Sequence, residues 1–269
     1  MTGEETEYTP QEDISKKSEI IAEIGGLFEQ YDSGVLSRAQ LRDKLVEREM
    51  HLENQLDYDE ATGILTQRGL KHAWTRLIEV KSRQRRIDPS VKIRGAVIAL
   101  DGDDLKGANT KGRHVGDAYI VHIAHVGSST IRPTDLFARY GDKADEFCGY
   151  LDGVGEEEAT VVALRTWKKV RETPNKILGD NKIAPSVSIG IAFFPEDIDY
   201  ERLSDPEYQI QLFDKTFKKA DKALKGAKDA GKDTIGLYEE GQNGPNIKVL
   251  DFAQMDFEGN VSQHHYAAK

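Results

Sequence analysis

Apolar residues recur along the chain first at helical spacing and later at strand spacing. Ile20, Ile21, Ile24, Leu27 and Phe28 fall on one helical face within 11–30, and Tyr31-Asp32-Ser33-Gly34 breaks that pattern. Ser37 with Gln40 three positions on is a capping-box signature, and Leu41, Leu45, Leu52 and Leu56 follow at spacings of four, seven and four. Arg48 stands where a heptad would place an apolar residue, so this second helix packs either on its own domain or on its copy in a dimer. Farther on, the apolar run Ala96-Val97-Ile98-Ala99-Leu100 predicts a strand over 95–101. A helix over 107–125, a hairpin of strands 136–140 and 145–152, a helix over 155–172 and a strand from Val187 to Phe194 come next. A long helix at 206–229 and a last strand at 233–238 complete the pattern, and 241–269, with Gly241, Gly244, Pro245 and His264-His265, reads as a loosely structured tail.

The order βαββαβ predicts an α+β, ferredoxin-like palm at 57–240, with a helical extension at 1–56 and a tail at 241–269. In that arrangement the first and third strands lie side by side and antiparallel. The end of the first then meets the start of the third, and the carboxylates of Asp101 and Asp145 converge. Converging carboxylates suit Mg²⁺, a hard cation that takes oxygen ligands and commonly holds a substrate triphosphate, so the pair points to phosphoryl or nucleotidyl transfer.

Charge and composition narrow the field. The net charge of -10 over 269 residues argues against a surface that tracks a nucleic-acid polymer, which needs a dominant basic field. Cys148 is the single cysteine, so no intramolecular disulfide forms, and its place in a strand makes it a small core group. With no apolar stretch near the ~20 residues that span a bilayer and an acidic start to the chain, a cytoplasmic protein without membrane contact is expected. Gly226-Ala227-Lys228-Asp229-Ala230-Gly231-Lys232-Asp233 nearly spells a P-loop, but Asp233 replaces the Ser or Thr and the segment precedes a strand where it should follow one. Asp101-Gly102-Asp103-Asp104 begins like a calcium loop, yet Leu105 and Lys106 fall where an oxygen ligand and a glycine are needed.

Between 59 and 238 a series of short motifs stands in the order of a known family. Asp59-Glu60-Ala61-Thr62-Gly63-Ile64-Leu65-Thr66-Gln67-Arg68 is similar to the family's opening DxLTGLxNRR, and Asp101-Gly102-Asp103-Asp104-Leu105-Lys106 with Asn109 to its DxDxFKxxN. Gly112-Arg113-His114-Val115-Gly116-Asp117 resembles GHxxGD, and Arg139-Tyr140-Gly141 followed by Ala144-Asp145-Glu146-Phe147 resembles RYGGDEF. Ser188-Ile189-Gly190-Ile191-Ala192 and the stretch from Ala220 to Lys232 complete the series, and with them the chain resembles the GGDEF family of diguanylate cyclases.

The resemblance implies that two GTP molecules are joined into cyclic di-GMP by attack of a 3′-hydroxyl on an α-phosphate, with Mg²⁺ or Mn²⁺ as cofactor and a homodimer as the working form. Asp101, Gly102 and Asp145 would hold the metal, and Glu146 would assist metal binding or proton removal. Backbone amides at Asp104 and Leu105 would face phosphate at a helix start, and Lys106, Arg139, Lys228 and Lys232 would add charge-assisted contacts. Asn109 and Asp117 would read guanine, because an Asp carboxylate accepts from N1 and N2, donors that adenine lacks. Arg132-Pro133-Thr134-Asp135 has the spacing of the family's RxxD inhibitory site for cyclic di-GMP, and it equally reads as a strand-entry turn in which Asp135 caps local amides.

Departures from the family pattern accompany the matches. Asp142 and Lys143 are inserted after Gly141, Ala144 replaces the second glycine of the signature, Gly102 and Asp104 replace apolar residues, and the segment from Asn109 to Gly112 is one residue short. Glycines in the signature turn allow positive φ and close approach to the nucleotide, so this turn sets a second reading beside the first: a module that binds GTP or cyclic di-GMP as a sensor, or a cyclase of another cyclic dinucleotide.

Overall fold

The computed structural model of the chain describes residues 10–141, 145–241 and 244–250. The chain divides into two compact units, 1–55 and 56–269. Asp142, Lys143 and Ala144, the stretch 251–269 and with it His264-His265 lie outside the described residues.

Helices α1 (Pro10–Asp32) and α2 (Arg38–Asp57) supply the first unit. Gly34 takes φ 76° in the turn between them. At the start of α2 the Ser37 amide donates to Gln40 Oε1 at 2.9 Å and the Gln40 amide to Ser37 Oγ at 3.3 Å, the reciprocal cap expected of that pair. Arg48, the charged interruption of the apolar spacing, reaches Glu23 of α1 at 2.8 Å.

The second unit runs α3 (Gln67–Ile87), β1 (Gly95–Gly102), α4 (Leu105–Lys111), α5 (Arg113–Thr130), β2 (Leu136–Arg139), β3 (Glu146–Asp152), α6 (Glu156–Glu172), α7 (Lys176–Asp180), β4 (Val187–Phe193), α8 (Pro206–Asp229), β5 (Ile235–Gly241) and β6 (Gly244–Val249). The sheet order is β2-β3-β1-β4-β5-β6. Here β1 pairs antiparallel with both β3 and β4, while β4 and β5 are parallel across the α8 crossover. The predicted α+β palm is therefore present, with β1 and β3 adjacent near its centre. Among the described residues no helix is long and apolar enough to cross a membrane.

Two expectations are corrected. The helix expected over 107–125 is two helices, because Gly112, at φ 138°, ends α4 and begins α5. The tail expected from 241 instead continues the sheet: β6 pairs antiparallel with β5, Gly236 facing Val249 and Tyr238 facing Ile247. Its Gly-Pro-Asn start carries turn composition, and only long-range pairing with β5 makes it a strand.

Every residue of β1 is buried, since helices cover both faces of the sheet. Ile98 and Leu100 point into a core shared with Tyr119 and Ile123 of α5 and Ala159 and Ala163 of α6. Val97 and Ala99 point into a second core with Leu70, Trp74 and Ile78 of α3 and Phe213 and Ala220 of α8. Trp74 anchors that side: its ring stacks on Phe194 at 5.0 Å, meets Tyr150 edge-on at 4.9 Å, and its indole N–H donates to the Gln209 carbonyl at 2.9 Å. Losing a fully buried Trp of this kind costs about 3–5 kcal/mol. Helix α8 lies on bare backbone of the sheet. A Cβ on Gly190 would stand 2.1 Å from the Ala220 carbonyl oxygen, and one on Gly236 2.3 Å from that of Ala223, so both strands need glycine for the helix to approach. This close seat brings the end of α8, with Lys228, to the end of β1.

Candidate active site

The site is built where β1 ends. Asp101 faces Glu146 on β3 and Ser188 on β4 in the strand register. One residue on, the Gly102 amide donates to the Asp145 carbonyl at 3.2 Å, and a Cβ at Gly102 would lie 3.4 Å from Asp145 Cβ. The antiparallel pairing thus sets Asp101, Asp145 and Glu146 together, as the order of strands required. From the opposite side Lys228 places its ammonium 2.7 Å from Asp101 Oδ2.

Electrostatics at this point are those of a crowded acid cluster. Burial pushes the Asp101 carboxyl above the ordinary carboxylate range; the Lys228 hydrogen bond and charge pull it back, and the charges of Asp145 and Glu146 push it further up. Asp101 is 5 % exposed, so its charge has little water to screen it. A divalent cation would relieve this excess of like charge, and the donors expected there, the Asp101 and Asp145 carboxylates with the Gly102 carbonyl, are all oxygen, as Mg²⁺ prefers. Among the described residues no three His, Cys, Asp or Glu side chains are arranged as a ready-made cage, and Lys228 is the cation at Asp101.

Gly102 also has a packing reason. A side chain there would come within 2.7 Å of Tyr119 Cε1. The buried Tyr119 hydroxyl donates to the Ser186 carbonyl at 2.8 Å and accepts from the Asp104 amide at 3.3 Å, tying the end of β1 to the approach of β4. Asp104 caps α4 through its own side chain, which accepts from the Gly107 amide at 3.0 Å. Leu105 turns into the core while Lys106 is exposed on α4. Asn109 and Asp117 are both exposed, on α4 and α5, and the Asn109 side chain lies against Gly116, where a Cβ would meet its Oδ1 at 1.8 Å.

Other predicted residues have further partners. Arg139, at the end of β2, donates to Asp59 Oδ2 at 2.9 Å; Asp59 in turn accepts from the Thr62 amide and hydroxyl at 3.0 and 2.7 Å, so the chain's opening motif braces the arginine. Glu146 folds back over Gly141, whose φ of 105° and missing Cβ leave room for its carboxylate. Asp135 is fully occupied as a turn cap: one oxygen accepts from the Arg132 amide at 2.8 Å and the other from the Asp152 amide at 2.9 Å. Asp152 pairs with Gly95, so this turn sits at the far end of the strands from Asp101, about 20 Å away at 3.3 Å per residue. Arg132 is exposed beside it.

Three participants escaped the sequence reading. Asp103, Ser188 and Asp233 close a small ring in which the Ser188 hydroxyl donates to Asp103 Oδ1 at 2.6 Å and the Asp233 amide reaches both Asp103 Oδ2 and Ser188 Oγ, at 3.1 and 3.0 Å. Lys232 donates to the Asp103 carbonyl at 3.1 Å. Burial raises the Asp103 carboxyl, against the pull of Ser188 and the two lysines. The only sequence signal was an acidic residue two positions after Asp101, which by itself fits any helix cap.

A family model for "Diguanylate cyclase, GGDEF domain" matches residues 56–234. The chain belongs to the GGDEF family. In its GGDEF signature Gly141 and Asp145-Glu146-Phe147 flank the inserted residues, and the signature's Asp and Glu are the ones found beside Asp101. Among curated proteins the chain is 33 % identical over 145 residues to the diguanylate cyclase DosC of Escherichia coli K12, a match that takes in 54 % of this chain and 28 % of DosC. It is 28 % identical over 180 residues to the bifunctional diguanylate cyclase/cyclic di-GMP phosphodiesterase MucR of Pseudomonas aeruginosa, covering 65 % of this chain and 24 % of MucR. The chain thus matches about a quarter of the length of these relatives. Of solved structures, the coiled coil and GGDEF domain of DgcB from Caulobacter crescentus, in complex with c-di-GMP, superposes with a TM-score of 0.56 at 18 % identity over 77 % of this chain and 99 % of that one. The GGDEF domain of PA1120 from Pseudomonas aeruginosa gives 0.50 at 24 %, over 66 % and 98 %. Both likenesses are of fold.

Proposed function

We propose that the chain is a diguanylate cyclase, which condenses two GTP molecules into cyclic di-GMP, each 3′-hydroxyl displacing pyrophosphate from the other's α-phosphate. The observation that carries this reading is the buried Asp101 at the end of β1, held by Lys228 and crowded by Asp145 and Glu146. Family membership and the name of the curated relative DosC support it.

Asp101, Asp145 and the Gly102 carbonyl would hold Mg²⁺ or Mn²⁺, which when bound supplies positive charge to the triphosphate and to the oxygens of the displacement. Lys228 pairs with Asp101 and Lys232 donates to the Asp103 carbonyl, and both ammonium groups would turn to phosphate oxygens of a bound nucleotide. Lys106, exposed in the first turn of α4, would add to that charge. Asn109 and Asp117 receive the guanine edge. Glu146 assists metal binding or takes the proton of the attacking 3′-hydroxyl. One protomer holds one GTP in a productive pose, so two must face each other, and turnover per protomer rises with protein concentration until the dimer saturates. The coiled coil that accompanies the GGDEF domain of DgcB supports a pairing role for α1 and α2, whose Ile21 and Met50 are exposed.

Incubation with Mg²⁺ and each nucleoside triphosphate, followed by chromatography, tests the reading. Cyclic di-GMP from GTP alone is expected. GTP binding with no cyclic product, at saturating dimer and with Mn²⁺ in turn, would overturn the cyclase and leave a nucleotide sensor; another cyclic dinucleotide would overturn the product assignment.

A further inference from the structure

The segment that carries Lys232 into the site is bent in an unusual way. After α8 ends at Asp229, Gly231, Lys232 and Asp233 take φ values of 124°, 66° and 50°. Two successive non-glycine residues in the left-handed region do not hold that shape unaided, so neighbours must determine it. They do so from two sides. On the site side the Asp233 amide is fixed by Asp103 and Ser188. On the opposite side α6 grips its carboxylate: the Trp167 indole N–H donates to Asp233 Oδ1 at 2.9 Å and to its carbonyl at 3.0 Å, and Arg171 forms an ion pair with Oδ2. The Arg171 guanidinium lies 4.8 Å from the centre of the Trp167 ring, so the two α6 residues brace each other.

We infer that Trp167 and Arg171 of α6 are positioning residues for nucleotide binding, acting through Asp233 to hold Lys232 toward the triphosphate. This rests on the reading of Lys232 as a phosphate ligand. Neither α6 residue belongs to the predicted site. The clamp leaves the Lys232 side chain able to exchange the Asp103 carbonyl for a phosphate oxygen while its Cα stays in place. Loosened, the turn relaxes toward ordinary φ values and carries the ammonium away from the site.

Two measurements on the full chain test this. In amide hydrogen exchange without nucleotide, Trp167→Phe, which keeps an aromatic six-membered ring but loses the pyrrole ring with its N–H donor, should speed exchange at Asp233 about tenfold while the β1 and β4 amides keep wild-type rates. In calorimetric titration with Mg²⁺ and a slowly reacting GTP analogue, Trp167→Phe should weaken binding about five- to tenfold, and Arg171→Lys, which keeps the charge, should weaken it less than Arg171→Met. In a Lys232→Ala background the Trp167→Phe loss should vanish, because the two act as one unit. Undiminished affinity in Trp167→Phe, or an equal loss with and without Lys232, overturns the inference. A wild type that binds no GTP analogue overturns the reading of the site itself.

Discussion

Lys228 Nζ and Asp101 Oδ2 are 2.7 Å apart, yet the net effect of its surroundings raises the Asp101 carboxyl. Burial, with Asp145 and Glu146 in support, outweighs the ion pair. A carboxyl with a raised native pKa binds its proton more tightly folded than unfolded, so its contribution to stability is full below 3.8 and is lost as pH rises through the raised value. Asp101→Asn, which mimics the protonated form, should therefore melt higher than wild type at pH 7, by about 2–4 °C for each kcal/mol recovered. The difference should vanish at pH 3. Thermal melts across pH 3–7 check this, and a variant less stable at pH 7 would mean that the Lys228 pair dominates.

Asp101→Asn and Asp145→Asn should each lower cyclic di-GMP formation by about 10³ with circular dichroism unchanged, the scale of losing one main electrostatic contributor to a transition state. Chromatographic product assay reads this. Near-normal turnover in either variant would remove that residue from the metal set.

Asp59 binds in the opposite sense. Burial alone would raise its carboxyl, but the Thr62 hydroxyl and Arg139 outweigh it and the pKa falls. That stabilisation is present above 3.8 and is lost as pH drops through the lowered value. Asp59→Ala should cost about 2 kcal/mol, since charge-assisted hydrogen bonds are worth roughly 1.5–3 kcal/mol. Urea titration should show a larger cost at pH 7 than at pH 3, because the stabilisation falls away as pH drops below 3.8.

Gly190→Ala should destabilise by about 3 kcal/mol or more, because its Cβ meets the α8 backbone at 2.1 and 2.2 Å and neither the helix nor β4 can yield without repacking. Gly153→Ala, with nothing within 4 Å of the new Cβ but a φ of 72°, should cost only about 1 kcal/mol of backbone strain. Equal denaturation midpoints for the two would contradict the close seat of α8.

What could be read along the chain was whatever rests on local pattern. The apolar run from Ala96 to Leu100 declared β1, and the Ser37–Gln40 spacing declared a helix start. Asp101 and Asp145 were legible because two adjacent strands fix their meeting by register alone. By contrast, Asp103, Ser188 and Asp233 meet across 85 and 130 residues, and no local spacing encodes that. Strand β6 was hidden by turn-forming residues that are overruled by pairing with β5. The Asp135 reading had two forms, and the amide bonds from Arg132 and Asp152 supply the capping one.

The parallel pairing of β4 with β5 sets an order of assembly. Hairpin β2–β3 closes over a short loop, whereas β5 reaches the sheet only after α8 has crossed it, so contacts from α8 and β5 are expected to form late. The acidic ends of β1 and β3 are then in place before Lys228 and Lys232 arrive. A half-folded chain would carry carboxylate repulsion that Lys228 offsets only in part in the finished protein, and an electrostatic barrier on the last folding step is expected. Millimolar Mg²⁺ or mild acid should speed refolding in stopped-flow experiments, and Asp101→Asn should remove most of that acceleration. The charges gathered at the end of β1 are thus expected to set how quickly the molecule is completed as well.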